Sequence, residues 1–299
     1  MVLPVHGAFG EINPASDTCQ RWTNRQHSWV RRSAGGFNPD RYTVQPITEA
    51  MAKTFVIQTH YSQTFPVASQ QFGLFLNTPA ALDLLGVAVF GIPANSKVLT
   101  NVFPGLAPYT ESLELSRFVL EGDRPTQDGS PAVAGRAPGN SGSWFLARCF
   151  EHLAAVGVRG VVSFADPVPR IVDGAQLFPG HVGTIYQASN ALYTGRGTAR
   201  TLTLLPNGLS LSDRALQKVR RTEQGHEYVE RRLIAAGATA PRAGVTGAAW
   251  LAEALEDAGA LRLRHRGCLR YAMITSKPDR GRVVVGPAGL PYPKLTDAA

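Results

Sequence analysis

Two periods can be read in the order of apolar and polar positions. Residues 71–76 and 84–90 are apolar runs on either side of Asn77-Thr78-Pro79, which predicts two strands. Residues 111–120 predict a third strand, with Leu113, Leu115 and Arg117 on one face and Glu114, Ser116 and Phe118 on the other. At 143–156 the period lengthens to that of a helix: Leu146, Phe150 and Leu153 share a face, and Gly157 stops it. A buried strand at 158–164, a second helix at 184–193 closed by Thr194-Gly195, and a strand at 200–205 follow. Beyond Leu209, Ser212 caps a helical stretch through Leu216 and Val219 that breaks near Gly225 and resumes towards Leu233. A short helix at 248–258 and two arginine-crowded strands at 261–263 and 268–274 complete the pattern.

Strands that alternate with helices predict an α/β protein, a mixed sheet flanked by helices. Residues 1–45 are rich in Gly, Pro, Asn and Ser and show no sustained period, so they are expected as an irregular basic arm. The core is expected over 46–209, with a connection at 121–139 that carries no element. Residues 210–299 are expected as a helical insertion plus basic strands that complete the sheet. At 299 residues the chain can bury a sizeable core. No apolar run is long enough to span a bilayer, and no secretory leader pattern opens the chain, so no membrane partner is expected. Cys19, Cys149 and Cys268 are scattered and odd in number, which fits a reducing compartment and makes a thiolate metal site a poor expectation. These features predict a soluble, cytoplasmic protein.

The net charge of +8 adds more, because the positive charge is clustered. Arg21, Arg25, Arg31, Arg32 and Arg41 are interleaved with Trp22, His27, Trp29 and Tyr42. A middle group of Arg214, Lys218, Arg220, Arg221, Arg231 and Arg232 has acidic partners at Asp213, Glu223, Glu227 and Glu230. A third group, Arg262, Arg264, His265, Arg266, Arg270, Lys277, Arg280 and Arg282, has Asp279 as its one acid. Such surfaces attract phosphate backbones through counterion release, whatever the base sequence. Solvated arginines would give the same composition.

Candidate chemistry gathers in two segments. Val161-Val162-Ser163-Phe164-Ala165-Asp166-Pro167 is an apolar run that ends in a hydroxyl, a carboxylate and a proline, and Gly180-His181-Val182-Gly183-Thr184-Ile185-Tyr186-Gln187 is a turn leading into a helix. Strand ends and helix starts of this kind are where open α/β sheets place their ligands. Ser and Asp serve equally as strand stops and caps. Arg117 on an apolar strand face needs an anionic partner, either Asp166 or a phosphate.

The order strand, irregular loop, helix, strand, helix resembles the GCN5-related N-acetyltransferase fold. There a loop and helix N-terminus hold the pyrophosphate of acetyl-CoA, because free N–H groups and the helix dipole favour phosphate. The corresponding loop here, Ala137-Pro138-Gly139-Asn140-Ser141-Gly142-Ser143, lacks the usual Arg/Gln-x-x-Gly-x-Gly/Ala signature. A narrower resemblance covers roughly residues 55 to 205. His60-Tyr61-Ser62, Glu114-Leu115-Ser116-Arg117, Asn140-Ser141-Gly142-Ser143-Trp144, Ser163-Phe164-Ala165-Asp166-Pro167 and the segment from Gly180 to Asn190 together are similar to the Mom family of phage DNA-modification proteins.

That resemblance implies conversion of adenine to N6-(carbamoylmethyl)adenine in double-stranded DNA, which shields phage DNA from restriction. It points to His60, Tyr61, Ser163, Asp166 and Tyr186 as catalytic residues, and to Asn140, Ser141, Gly142 and Ser143 as the acetyl-CoA loop. Arg117, Arg264, Arg266 and Arg270 would hold DNA. Iron, held by His60, Asp166 and His181, is one version of the site, since imidazole plus carboxylate suits ferrous iron. In the metal-free version Asp166 or His60 takes the N6 proton, Ser163 positions the substrate, and Tyr186 stacks on it or hydrogen-bonds it. The base must leave the stack to be reached, with Tyr61, Trp144 and Tyr186 as aromatic candidates. The other readings are a coenzyme A-dependent N-acetyltransferase acting on an amine or modified base, and a non-catalytic DNA-binding protein. Monomer and dimer both stay open.

Overall fold

The computed structural model describes residues 18–23, 26–31, 37–79, 81–122, 137–172 and 175–294. In chain order these hold β1 (Thr18–Thr23), β2 (Gln26–Arg31), β3 (Tyr42–Pro46), α1 (Glu49–Thr59), β4 (Ala68–Asn77), β5 (Leu82–Gly91), α2 (Lys97–Thr100) and β6 (Ser112–Leu120). Then come α3 (Ser141–Ala155), β7 (Gly160–Ala165), β8 (Arg170–Val172), β9 (Ala175–Phe178), α4 (Thr184–Ala188), β10 (Leu192–Arg196), β11 (Arg200–Leu204) and β12 (Ser210–Leu211). The chain continues with α5 (Asp213–Arg221), α6 (Glu227–Ala235), α7 (Gly247–Asp257), β13 (Leu261–His265) and β14 (Leu269–Ile274). Two compact units result. The first takes the described residues of Met1–Pro167, His181–Arg196 and Leu269–Ala299, and the second takes those of Val168–Gly180 and Gly197–Cys268.

The first unit is built on a seven-stranded sheet in the order β10-β14-β7-β6-β5-β4-β3. Its neighbours are antiparallel except for β6 and β7, which run parallel. The sequence β6, loop, α3, β7, α4 is the expected acetyltransferase-like order, and the fold is that mixed sheet flanked by helices. Strands β5 and β7 read as continuous apolar runs because both faces are covered. Along β7, Val161 and Ala165 join the core beneath α3, while Val162 packs with Leu99, Phe103 and Ala272 on the other face. Helix α3 buries Phe145, Leu146, Cys149, Phe150 and Leu153 against the sheet. Each fully buried leucine or phenylalanine there is worth roughly 1.5–3 kcal/mol of transfer free energy. Helix α1 packs on β4, β5 and β6, and its buried Ala52 and Val56 stand outside the α3 cluster, so it covers the opposite face.

The second unit pairs β8 with β9 and arranges β12-β11-β13 as a three-stranded sheet. Helices α5, α6 and α7 enclose Leu216, Val219, Val229, Leu233, Trp250 and Leu251 with Leu205 and Leu211. Ser212 and Thr246 cap α5 and α7 by accepting from the N–H groups of Ala215 and Ala249.

Several expectations are corrected. The N-terminal arm contains a hairpin: β1 and β2 pair from Thr18↔Arg31 to Thr23↔Gln26. The helix expected over 184–193 stops at Ala188, because Asn190 turns with φ 57° and Tyr193 then pairs with Tyr271 as part of β10. Of the two arginine-crowded strands, β14 completes the large sheet, whereas β13 pairs with β11 in the second unit. The sequence boundary drawn after residue 209 falls inside that second unit, which begins its long segment at Gly197.

Candidate active site where the parallel strands part

The parallel pairing of β6 and β7 runs from Ser112↔Gly160 to Leu115↔Ser163. Both strands continue past that rung, β6 to Leu120 and β7 to Ala165. Ser163 marks the parting: fully buried, its hydroxyl donates to the carbonyl of Leu115 at 3.2 Å. With that bond made inside the sheet, Ser163 braces the strands rather than reaching a substrate.

One residue beyond the last rung, β6 carries a bulge. Val89 of β5 faces Arg117 and Phe90 faces Leu115, so Ser116 is the extra residue. A bulge shifts the alternation of the residues after it and often re-aims a side chain beside a site. Phe118 and Leu120 therefore join Leu113 and Leu115 in the α3 core, and Arg117 lies across from Val89 on the other face. The strict alternation expected from sequence, with Arg117 beside Leu113 and Leu115, is overturned. The bulge brings Arg117 to the side of Glu114, and each feels the charge of the other.

Arg117 is held by Thr64: Nε donates to the Thr64 carbonyl at 3.1 Å and Nη2 to its hydroxyl at 2.7 Å, while Nη1 donates to the Ser116 carbonyl at 2.6 Å. Burial lowers its pKa from the ordinary value, and Tyr61, Glu114 and Tyr186 oppose that shift. Burial raises the Glu114 carboxyl, an effect limited by its bond from Ser116 and by Arg117. The partners Thr64 and Glu114 were missed from sequence. Glu114 and Arg117 are three residues apart, which in a regular strand separates them to opposite faces.

His60 ends α1, its N–H donating to the Val56 carbonyl at 2.9 Å, and its ring is buried against Tyr61 at 4.2 Å between centroids. The Ser62 N–H donates to its Nδ1 at 3.2 Å, and the Ser62 hydroxyl lies 2.8 Å from the same nitrogen. A backbone N–H can only donate, so Nδ1 accepts and the ring proton sits on Nε2. Burial first, then the charges of Arg117 and His181, lowers the His60 pKa well below 6.5, so the ring is neutral at physiological pH.

The other expected segments meet the same region. The His181 N–H donates to the Asp166 carbonyl at 2.8 Å, tying the turn before α4 to the end of β7. Tyr186 stands on α4 with its ring 5.3 Å from Tyr271 and only 6 % exposed, so it offers little face for a base to stack on. Trp144 is likewise engaged, with Phe37 edge-on at 5.4 Å and the Arg148 guanidinium over it at 5.8 Å. Tyr61, like Trp144, is half-buried.

At the start of α3, Asn140 is exposed and makes no side-chain cap. Ser141 is buried and donates its hydroxyl to the Pro138 carbonyl at 2.7 Å, and Ser143 donates to Asn140 at 3.2 Å. The N–H groups of Gly142 and Ser143 lie in the first turn, where no intrahelical acceptor exists. A phosphate fits such donors, and with the helix dipole they suit the pyrophosphate of a coenzyme A thioester. The iron triad fits less well. Among the described residues, the ligand atoms of His60, Asp166 and His181 are not a set lying within 4.8 Å of one another, and His60 spends Nδ1 on Ser62.

Of the arginines expected on DNA, Arg264 and Arg266 are exposed on and beside β13 in the second unit. Arg270 belongs to the first unit and is committed to its sheet, donating to the Thr194 hydroxyl at 3.0 Å and carbonyl at 2.8 Å.

A family model for the Mom protein family matches residues 41–294, and the chain belongs to that family. No curated protein matches it. Among solved structures it is similar to a tandem GNAT protein from the clavulanic acid biosynthesis pathway, solved without AcCoA, at 8% identity and a TM-score of 0.37, covering 79% of this chain and 99% of that one. No helix of the described residues is long and apolar enough to cross a membrane.

Proposed function

We propose that this protein modifies adenine in duplex DNA, adding a carbamoylmethyl-type group at N6 and so protecting phage DNA from restriction. Membership of the Mom family supports the class of reaction. The observation that carries the site is the grouping of His60, Tyr61, Glu114, Arg117, His181 and Tyr186, linked by charge and ring contacts, where β6 and β7 part.

Adenine N6 lies inside the base stack, and extruding the base costs a few kcal/mol. Tyr61, half-buried and backed by the His60 ring, is the platform on which the extruded base stacks. The N6 amine must lose a proton as its new bond forms. His60 holds its proton on Nε2 and therefore serves as a donor. The carboxylate of Asp166, at the end of β7, takes the N6 proton. Arg117, fixed by Thr64, supplies positive charge to an anion in the site, and Glu114 is its buried counter-charge. Asn140 and the N–H groups of Gly142 and Ser143 would hold the phosphates of a coenzyme A thioester, whose acyl transfer to N6, with the thiol leaving, gives an amide; the carbamoylmethyl group bonds through its methylene carbon and needs a different donor. Exposed Arg264 and Arg266 serve as contacts to DNA phosphates.

The first-turn donors of α3 also favour a second reading, simple N-acetylation of an amine or modified base. The two products differ in mass. Plasmid co-expressed with the full chain should yield adenine nucleosides carrying a carbamoylmethyl substituent, and Asp166→Asn should reduce that yield by about 100-fold or more. Acetylated adenine would replace this reading with the second. Unmodified adenine from soluble protein would reject both.

A further inference from the structure

Arg21 of β1 is counted from sequence among the charges of an exposed arm, yet it is only 2 % exposed. Its Nε donates to the Ala137 carbonyl at 3.0 Å, Nη2 to the Pro138 carbonyl at 2.8 Å and Nη1 to the Gln20 carbonyl at 2.9 Å. Two positions earlier, and so on the same face of β1, the Cys19 thiol donates to the Gly139 carbonyl at 3.3 Å. The Pro138 carbonyl also accepts the Ser141 N–H at 3.0 Å and the Ser141 hydroxyl at 2.7 Å.

The Ala137 and Gly139 carbonyls are thus bonded to the hairpin, and the Pro138 carbonyl is shared between Arg21 and Ser141, the first residue of α3. This matters for an anion. A carbonyl oxygen facing the start of α3 would set its negative end against a phosphate and offset the attraction of the Gly142 and Ser143 N–H groups. A buried guanidinium is costly unless well hydrogen-bonded. Its planar fork spans two adjacent carbonyls, and a lysine ammonium cannot reproduce that span.

We propose that Arg21 is a positioning residue for anion binding at the first turn of α3, which makes the β1–β2 hairpin a working part of the coenzyme pocket. The hairpin lies before residue 41, outside the segment matched by the family model. The inference rests on the reading of α3 as the holder of a coenzyme pyrophosphate. Arg21 touches no ligand itself. It fixes the loop from which α3 begins.

The test is calorimetric titration of the full chain with coenzyme A, with inorganic pyrophosphate, and with pantetheine, which lacks the pyrophosphate. Arg21→Met and Arg21→Lys should weaken coenzyme A and pyrophosphate at least tenfold and leave pantetheine within twofold. Arg31→Met, an exposed change on β2, should alter none of the three. If Arg21→Met fails to fold, Arg21→Lys, which keeps the charge, carries the test alone. Equal coenzyme A affinity in all variants would overturn the proposal. Parallel loss of all three ligands with a lowered melting temperature would make Arg21 a structural residue only, and overturn it too. Absence of coenzyme A binding in the unaltered chain would instead remove the coenzyme reading on which the proposal stands.

Discussion

The most constrained side chain in the candidate site is the His60 imidazole. Burial, Arg117 and His181 depress its folded pKa below 6.5. Between that folded value and 6.5 the unfolded chain binds a proton that the folded chain refuses, so stability falls as pH drops through this window. His60→Gln keeps a polar side chain and removes the titration. Urea midpoints at about pH 7.5 and about pH 5.5 should converge in this variant by up to about 1.4 kcal/mol per unit of pH within the window. Equal pH dependence in both proteins would place the loss elsewhere. Glu114 contributes in the opposite sense, because its folded pKa is raised and its stabilisation is lost as pH rises through that value. That His60 and Tyr186 both lie within the charge of Arg117 was legible only through family likeness, since no spacing links segments so far apart. Tyr186 as a stacking surface did not survive, because its ring is spent on Tyr271.

Elements with wide apolar faces were legible: β4, β5, β7 and α3 fall within a few residues of their expected bounds. Those missed have narrow or interrupted faces. Helix α1 buries only Ala52, Val56 and Thr59, a stripe too thin to stand out. The bulge at Ser116 is a backbone event without a residue signature, and it reversed the expected facing of Arg117. The turn into α4 shows how tightly such elements are set. Gly183 has φ 75°, and a Cβ there would approach Tyr271 to 2.7 Å and Tyr186 to 2.8 Å. Gly183→Ala combines backbone strain with overpacking and should destabilise the protein by about 1–3 kcal/mol in urea unfolding. A change below about 0.5 kcal/mol would mean the turn relaxes freely.

For the whole molecule, the sequence placed Arg264, Arg266 and Arg270 together, and the chain distributes them over two units. Arg264→Ala with Arg266→Ala should reduce the salt slope of duplex binding by about 1–2, from roughly 0.9 per lost phosphate contact. Arg270→Ala should leave that slope unchanged, because its guanidinium is bound to Thr194. Fluorescence anisotropy at several salt concentrations separates the two results. Sheet order carries a different consequence. β14 lies between β7 and β10, yet it is translated only after the long segment Gly197–Cys268 of the second unit. While the ribosome makes that segment, β7 leaves one backbone flank bare, the kind of surface that captures neighbouring chains. A nascent or prematurely released product ending before Leu269 is therefore adhesive, whereas the second unit already holds all its own strands by then.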